Sequence, residues 1–256
     1  MASSINFGYK VLSFNICYSK RAEGVFERFS SDKRIEQIFQ LLSDENADII
    51  CLQEVYEKDL NTFTKRLKDY NFTEQRHSER SGCCYNLIGV RKSIMFNNKN
   101  IEVRIPKSIN MCNNVREIMS CVMCLELDNL IIINCHVPVT ENLRFLANEH
   151  IKSVLRPHKP VIVVGDFNSF PDYKGVEQLQ NLIDLTGLVH YDNDYKSSFA
   201  AYPYDVFEAK ETIPLDNLFY KNIVPHDFRF ISDRYTFEFD KKTYFISDHF
   251  AMVFTI

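Results

Sequence analysis

Polar side chains follow several apolar, strand-like runs of this sequence, at the point where each run ends. The segments are SFNI, LQEV, NCHV, GDFNS, PLDNLFY and ISDHF. The residues in them that could do chemistry are Asn15, Glu54, His136, Asp166, Asn168, Asp216, Asp248 and His249. Because ligand sites in open α/β sheets gather at strand ends, we expect these side chains to share one pocket.

The residue types in this set match the hydrolysis of a phosphate ester. That reaction needs a hard cation to polarise the phosphoryl oxygen, a base to deprotonate water, and donors for the developing charge. Magnesium prefers one or two carboxylates with retained waters, which makes Glu54, together with Asn15 and Asp248, an open cation site. Manganese is an alternative, whereas zinc would want histidine or cysteine ligands.

Each segment taken alone has a more ordinary explanation. LQE is common on helices, a strand-terminal asparagine often forms a turn, and a lone histidine at a strand end is usually a structural hydrogen-bonder. GDFN after a β-branched strand is more specific, since glycine permits a tight turn that aims two polar side chains outward. Every segment follows a strand, and together they supply each role in the reaction, so we predict one catalytic site.

Short apolar runs alternate with amphipathic stretches along the chain, which is typical of an α/β fold. Helices are predicted after the cluster Ser30-Ser31-Asp32, through Leu60, Phe63 and Leu67, and from Leu143 to Leu155 before Pro157 and Pro160. Strands are predicted at Tyr9–Ile16, Asp48–Leu52, Asn86–Arg91, Glu117–Leu127, Leu130–His136, Val161–Val164, Asn217–Tyr220, Phe237–Phe239 and Met252–Ile256. No repeat or linker interrupts the pattern, so residues 1–256 are expected to form one domain.

Composition excludes several classes of protein. With 45% hydrophobic and 25% charged residues in 256, the chain is expected to fold throughout. No apolar run is long enough to span a bilayer and no secretory pattern opens the sequence, which predicts an intracellular protein, cytoplasmic or nuclear. A net charge of −4 argues against a broad basic surface for gripping duplex DNA.

The eight cysteines are expected to be reduced thiols in apolar strands rather than a disulfide framework. Cys121 and Cys124 form a C-x-x-C pair, but no second pair or histidine pair completes a tetrahedral zinc set. Zinc is therefore not expected.

The order of SFNI, LQEV, NCHV, GDFNS, LDNLF and SDHF resembles the successive motifs of the endonuclease/exonuclease/phosphatase superfamily. The resemblance implies a four-layer α/β sandwich of two mixed β-sheets flanked by helices, with the active site at one end. It also implies a role for each residue of the set. Asn15 and Glu54 would bind the metal with Asp248 nearby, Asp166 would activate water, Asn168 and His136 would contact the phosphate, and Asp216 would orient His249.

The substrate is less sharply indicated. GDFNSFPDYKGVEQL, with GCCYNLIGVRKS upstream, is similar to segments of polyadenylate-trimming RNA exonucleases, which favours RNA or single-stranded DNA. Inositol polyphosphate phosphatases and tyrosyl-DNA phosphodiesterases carry an arginine soon after GD-x-N that is missing here, and abasic-site endonucleases often use tryptophan, of which this chain has none. A lipid or phosphoinositide phosphodiesterase is one alternative, and a catalytically inactive binding module of the same fold is another.

The segment YDNDYKSSFAAYPYDVF, residues 191–207, is rich in aromatic side chains. These rings could stack on bases, but packing of a long loop onto the domain is the simpler explanation. Arg91, Lys92 and Arg116 are likewise expected to be solvated surface charges rather than phosphate contacts.

Overall fold

The computed structural model describes residues 6–17, 32–76, 84–97, 102–104, 122–139, 141–169, 173–191, 199–200, 212–231 and 235–256. Within them the α-helices are α1 (Asp32–Glu45), α2 (Leu60–Arg66), α3 (Lys92–Asn97), α4 (Glu141–Val154) and α5 (Tyr173–Thr186). The strands are β1 (Lys10–Asn15), β2 (Ile49–Tyr56), β3 (Tyr70–Arg76), β4 (Cys84–Arg91), β5 (Glu102–Arg104), β6 (Val122–Glu126), β7 (Ile131–His136), β8 (Val161–Asp166), β9 (Val189–His190), β10 (Phe199–Ala200), β11 (Thr212–Ile213), β12 (Asp216–Lys221), β13 (His226–Ile231), β14 (Thr236–Phe239), β15 (Lys242–Phe245) and β16 (Ala251–Thr255).

Two large mixed sheets form the centre of the fold. The first sheet has the order β13-β16-β1-β2-β4-β3, and the second has the order β5-β6-β7-β8-β12-β9. In each sheet one central pair is parallel, β1 with β2 and β7 with β8, while the other pairs are antiparallel. Two antiparallel pairs of short strands, β10 with β11 and β14 with β15, accompany them.

Three clusters of buried apolar side chains define the layers. One cluster joins α1, α2 and the β14–β15 hairpin to the outer face of the first sheet, and a second fills the space between the two sheets. The third joins α4 and α5 to the outer face of the second sheet. The order of helices, sheet, sheet and helices confirms the predicted four-layer sandwich, because each sheet buries both of its faces.

A buried amide pair ties the two sheets together. Gln53 on β2 donates to Asn134 Oδ1 on β7 at 2.6 Å, and Asn134 donates in turn to the carbonyls of Leu52 and Leu87 at 3.0 and 2.9 Å. Gln53 and Asn134 are fully buried, so these bonds replace part of the hydration that the two amides lost, although Gln53 Oε1 has no partner among the described residues. The pair lies one or two residues before the chemical side chains Glu54 and His136, and it holds the two strand ends against each other.

The predicted strands and helices are confirmed where the structure describes them, with ends displaced by a few residues. Part of the predicted strand Glu117–Leu127 lies outside the described residues, as do Ser30 and Ser31. Strands β3 and β13 have no predicted counterpart. Each is an edge strand of the first sheet, and its polar alternation, YNFTEQR or HDFRFI, lacks the apolar run of a doubly covered strand. Helices α3 and α5 and the short strands β5, β9, β10, β11 and β15 were not predicted either.

Candidate active site

Three of the predicted site residues lie side by side on the second sheet because of the strand register. His136 pairs with Asp166 in the parallel β7–β8 ladder, and Asp166 pairs with Asp216 in the antiparallel β8–β12 ladder. Strand side chains alternate between the two faces of a sheet. The three residues lie an even number of positions from Ile132, Val164 and Leu218, so they are on the same face as these side chains, which fill the space between the sheets. All three are therefore aimed into the cleft between the two sheets at one end.

Gly165 permits the close approach of β7 and β8 just before Asp166. Its φ is +138°, and a Cβ atom at this position would stand 2.1 Å from the carbonyl oxygen of Cys135. Any larger residue would force the two parallel strands apart. The glycine of GDFN thus serves strand packing as well as the turn that follows it.

Asn168 follows Asp166 in a left-handed turn with φ 47°. Its backbone N–H donates to Asp166 Oδ1 at 2.8 Å, and its amide donates to the Val137 carbonyl at 2.8 Å and lies 3.4 Å from Asp166 Oδ2. An asparagine tolerates this backbone conformation and closes it with such local bonds. The turn fixes the orientation of the Asp166 carboxylate.

Glu54 reaches the cleft only because β2 is irregular. Strict alternation would aim Glu54 toward the helices, since Leu52 packs on that side. The β2–β4 register shifts between Leu52 and Val55, and Glu54 has φ 55°. Such an irregularity re-aims a side chain, and Glu54 Oε1 lies 3.5 Å from His136 Nε2.

Asn15 at the end of β1 joins the two sheets at the site. Its Nδ2 donates to Asp166 Oδ2 at 3.0 Å and lies 3.5 Å from His249 Nε2. Its Oδ1 accepts the backbone N–H of Cys17 at 3.0 Å. Asn15 is completely buried, so these bonds hold its amide in one orientation.

The segment between β15 and β16 brings the last two chemical residues beside Asn15. Ser247 Oγ donates to the Asn15 carbonyl at 2.6 Å, accepts the His249 backbone N–H at 3.2 Å and lies 3.2 Å from Asp248 Oδ1. His249 Nδ1 lies 2.7 Å from Asp216 Oδ2, so the imidazole bridges the first and second sheets. Ser247 thus anchors the SDHF segment to the end of β1.

Two groups of the site, the Asp166 carboxyl and the His249 imidazole, have pKa values above their ordinary ones. Burial raises the pKa of Asp166 to about 6; His249 and His136 oppose this effect and Asp216 adds to it. Burial alone would lower the pKa of His249, but Asp216, Asp166 and Asp248 outweigh it and raise the pKa well above the ordinary value. Above about pH 6 the favoured state pairs an ionised Asp166 with a charged His249.

All eight predicted residues lie at this end of the sandwich. Six of them fall into two groups of three, and Asn168 lies beside Asp166. The β8-end group consists of Asp166, Asp216 and His249, whose ligand atoms lie within 4.8 Å of one another, close enough to hold a metal ion. The β1-end group consists of Asn15, Glu54 and Asp248. Glu54 and Asp248 both act electrostatically on Cys17 and Arg34. His136 connects the groups, with Nε2 3.5 Å from Glu54 Oε1 and 3.7 Å from Asp166 Oδ2.

Two residues that hold the site were not among the predicted ones. Ser247 lies in the ISDHF segment, but nothing in the sequence distinguishes its hydroxyl from that of an ordinary loop serine next to an aspartate and a histidine. Arg34 lies on α1 next to Lys33, where a pair of cations suggests a solvated surface. Its position four residues before Ile38 places it on the buried stripe of that helix, and this spacing could have shown it.

The remaining sequence predictions fall partly outside the described residues. Most of residues 191–207 lies outside them, but Tyr191 stacks on Phe228 at 5.1 Å and belongs to the packing between the sheets. Arg91 donates to the Asn46 carbonyl at 3.0 Å, while Lys92 begins α3. Arg116 and Cys121 lie outside the described part of the chain.

Cys124 lies buried in β6 as a free thiol. In the part of the chain that the structure describes, no helix has the length and apolar character required to cross a membrane.

Comparison with known proteins decides the family. The sequence model of the Endonuclease/Exonuclease/phosphatase family matches residues 12–249, from within β1 to the histidine of the β8-end group. The chain belongs to this family. Endonuclease/Exonuclease/phosphatase proteins are hydrolases that act on phosphate esters, and they generally use divalent metals. The comparison with curated protein sequences gave no match.

Solved structures similar to this family member share its fold. TDP2 of D. rerio, complexed with single strand DNA product, has a TM-score of 0.67 and 16% identity, with 96% of this chain and 98% of that chain covered. Truncated TDP2 of Caenorhabditis elegans has a TM-score of 0.66 and 21% identity, with 98% of each chain covered. A mannosyl-6-phosphatase of Bacteroides thetaiotaomicron has a TM-score of 0.65 and 15% identity, with 96% of this chain and 98% of that chain covered.

Proposed function

We propose that this protein is a magnesium-dependent phosphodiesterase whose substrate is RNA or single-stranded DNA. The observation that carries the proposal is the position of Asp166. It is a buried carboxylate with a raised pKa, it is held by Asn15 and Asn168, and its Oδ2 lies 3.7 Å from Nε2 of the charged His249. A base beside a cation site and a cationic donor is the arrangement that phosphoryl transfer to water needs.

The β1-end group fits a hard divalent cation. Its donors are the carboxylates of Glu54 and Asp248 and the amide of Asn15, and magnesium binds through a few such oxygens while it keeps several waters. Manganese accepts the same ligands. When bound, such a cation supplies Lewis-acid polarisation of a phosphoryl oxygen.

The protein side chains divide the remaining work. Asp166, ionised above about pH 6, accepts a proton from the attacking water. His249, kept charged chiefly by Asp216, donates to a non-bridging oxygen of the phosphate. His136 lies beside Asp166 and offers a further donor to the same phosphate. The Asn168 amide donates to the Val137 carbonyl and to Asp166 Oδ2, so in this arrangement Asn168 orients the Asp166 carboxylate.

Two of the structural neighbours support different substrates. The D. rerio TDP2 structure contains a single strand DNA product, which favours nucleic acid and agrees with the motif resemblance of GDFNS. The Bacteroides thetaiotaomicron neighbour is a mannosyl-6-phosphatase of nearly the same structural similarity. Hydrolysis of a sugar phosphate monoester is therefore the second candidate function.

A hydrolysis panel with wild-type protein tests the proposal. The substrates are single-stranded RNA, single-stranded DNA, abasic duplex, a phosphoinositide, sphingomyelin and mannose 6-phosphate, each with magnesium, with manganese and with excess chelator. We expect a single-stranded nucleic acid to be cleaved fastest, and chelation to abolish cleavage until either metal is restored. Faster release of phosphate from the sugar would favour the second candidate. No hydrolysis of any substrate would favour the inactive binding module.

Replacement of Glu54 by glutamine is expected to raise the magnesium concentration for half-maximal activity. The amide keeps the shape but removes a charge from the β1-end group, and disturbing even the outer partners of a metal site commonly costs about 10- to 100-fold in affinity. Glu57→Gln is the matched control, because Glu57 contacts Tyr85 outside both groups. If the magnesium titrations of Glu54→Gln and wild type superimpose, Glu54 is not a ligand.

A further inference from the structure

Arg34 is an almost fully buried cation on α1, outside every motif of the sequence. Its side chain is 1% exposed and is among the largest that the fold buries completely. A buried guanidinium has lost its hydration and must find acceptors inside the protein. The identity of those acceptors indicates what Arg34 does.

The acceptors are backbone carbonyls on both sides of the β1-end group. Arg34 Nη1 donates to the Ile16 carbonyl at 2.6 Å and to the Ile246 carbonyl at 2.7 Å, and Nη2 donates to the Cys17 carbonyl at 3.3 Å. Ile16 and Cys17 directly follow Asn15, and Ile246 directly precedes the Ser247-Asp248-His249 segment. One planar side chain therefore holds two chain segments more than 200 residues apart in sequence.

The charge of Arg34 also lies beside the acidic residues of the site. Burial lowers the pKa of Arg34, while Cys17, Asp59, Asp248 and Glu54 act in the opposite direction. The side chain is thus a cation close to two carboxylates of the β1-end group. Its attraction for both carboxylates adds to the hydrogen bonds that hold this end of the site together.

We propose that Arg34 is a positioning residue that fixes the spacing between Asn15 and Asp248 and thereby sets the affinity of the β1-end group for a divalent cation. The inference rests on the proposed function of that group. Nη1 bonds both segments while Nη2 bonds the Cys17 carbonyl, so the rigid guanidinium plane is held at two nitrogens. The flexible ammonium of lysine is a poor replacement, because it has one nitrogen and no second arm to hold its donors in place. Retaining the charge without the fork should therefore fail.

The test compares Arg34→Lys and Arg34→Met with Ile38→Ala. Ile38 is completely buried one turn later on the same helix and packs on the same face of the first sheet, so its truncation loosens α1 without touching the carbonyls. Manganese is titrated into each metal-free protein by calorimetry, and thermal unfolding is recorded beside it. We expect both Arg34 variants to bind manganese about 10- to 100-fold more weakly than wild type, while Ile38→Ala loses thermal stability but keeps wild-type affinity.

Activity separates failure of this inference from failure of the proposed function. If wild type hydrolyses its substrate and Arg34→Lys binds manganese as tightly as Ile38→Ala does, the positioning role is wrong while the proposed function stands. If wild type neither hydrolyses any substrate nor binds manganese, both are wrong.

Should neither Arg34 variant fold, arginine-labelled wild-type protein supplies the answer by NMR. Magnesium is then expected to shift the Arg34 guanidinium resonances more than those of Arg156, a half-exposed arginine that contacts Glu126. Equal shifts for both arginines would overturn the inference.

Discussion

Replacement of Asp166 by asparagine is expected to lower kcat by at least about 10²- to 10⁴-fold, the usual contribution of a general base. Asparagine has the shape of aspartate and can still accept the Asn168 backbone N–H, but its amide cannot take a proton from water. Asp216 contributes more than Asp166 to the raised pKa of His249, so the imidazole should stay charged and able to contact a phosphate in the variant. We therefore expect the Kd for uncleaved substrate to stay near the wild-type value.

Single-turnover kinetics and fluorescence anisotropy with a labelled oligonucleotide separate these two effects. Asp184→Asn is the matched control, because Asp184 is exposed on α5 and contacts Gln180 of the same helix. An Asp166→Asn variant that keeps more than about a tenth of wild-type kcat would lie outside the range for a general base. The base would then have to be sought at His249.

Titration of the Asp166 carboxyl provides an independent check on its role. Burial raises its pKa to about 6, so in the metal-free protein the carboxyl is neutral below this pH and ionised above it. Carbon NMR of aspartate-labelled protein should show this midpoint, and a nearby cation should lower it, since positive charge favours the ionised form. A midpoint near that of an ordinary aspartate would remove the physical basis for Asp166 as a base.

The orientation of the site residues on the second sheet could be predicted from local sequence, because their strands are regular. Alternation along a strand fixes the face of each side chain, and the apolar residues of β7, β8 and β12 identify the buried faces. His136, Asp166 and Asp216 each continue the set of side chains aimed between the sheets. The positions of the strand ends are therefore enough to predict that all three side chains point between the sheets.

Other parts of the site depend on information that no short segment carries. Glu54 breaks alternation, and its aim depends on a register shift against β4. β16 pairs with β1 from the opposite end of the chain, which brings His249 to Asn15. Arg34 looks like a surface cation until the carbonyls that surround it are known. Long-range pairing and backbone irregularity are tertiary effects, so residue type and spacing alone do not predict them.

Removal of the His249 side chain is expected to cost more than neutralisation of its partner Asp216. His249→Ala deletes a charged donor in a buried site, and loss of one such preorganised donor commonly lowers kcat by about 10²- to 10³-fold. Asp216→Asn keeps an oxygen that can accept the Nδ1–H of His249, so the ring retains its position. The expected loss for Asp216→Asn at neutral pH is about 10-fold, similar to other partners that orient a functional group.

The pH dependence of the two variants shows which property of His249 matters. Burial lowers the pKa of His249, and Asp216 is the largest of the influences that raise it, so Asp216→Asn should leave His249 charged only at lower pH. Its activity relative to wild type should then recover as pH falls toward about 6 and decline as pH rises. His249→Ala should show the opposite trend, a loss that grows as pH falls, because His249 lowers the pKa of Asp166 and its removal leaves less of that carboxyl ionised. His158→Ala is the control, since His158 is an exposed histidine between α4 and β8. An Asp216→Asn defect that does not vary with pH would mean that the carboxylate orients the ring without keeping it charged.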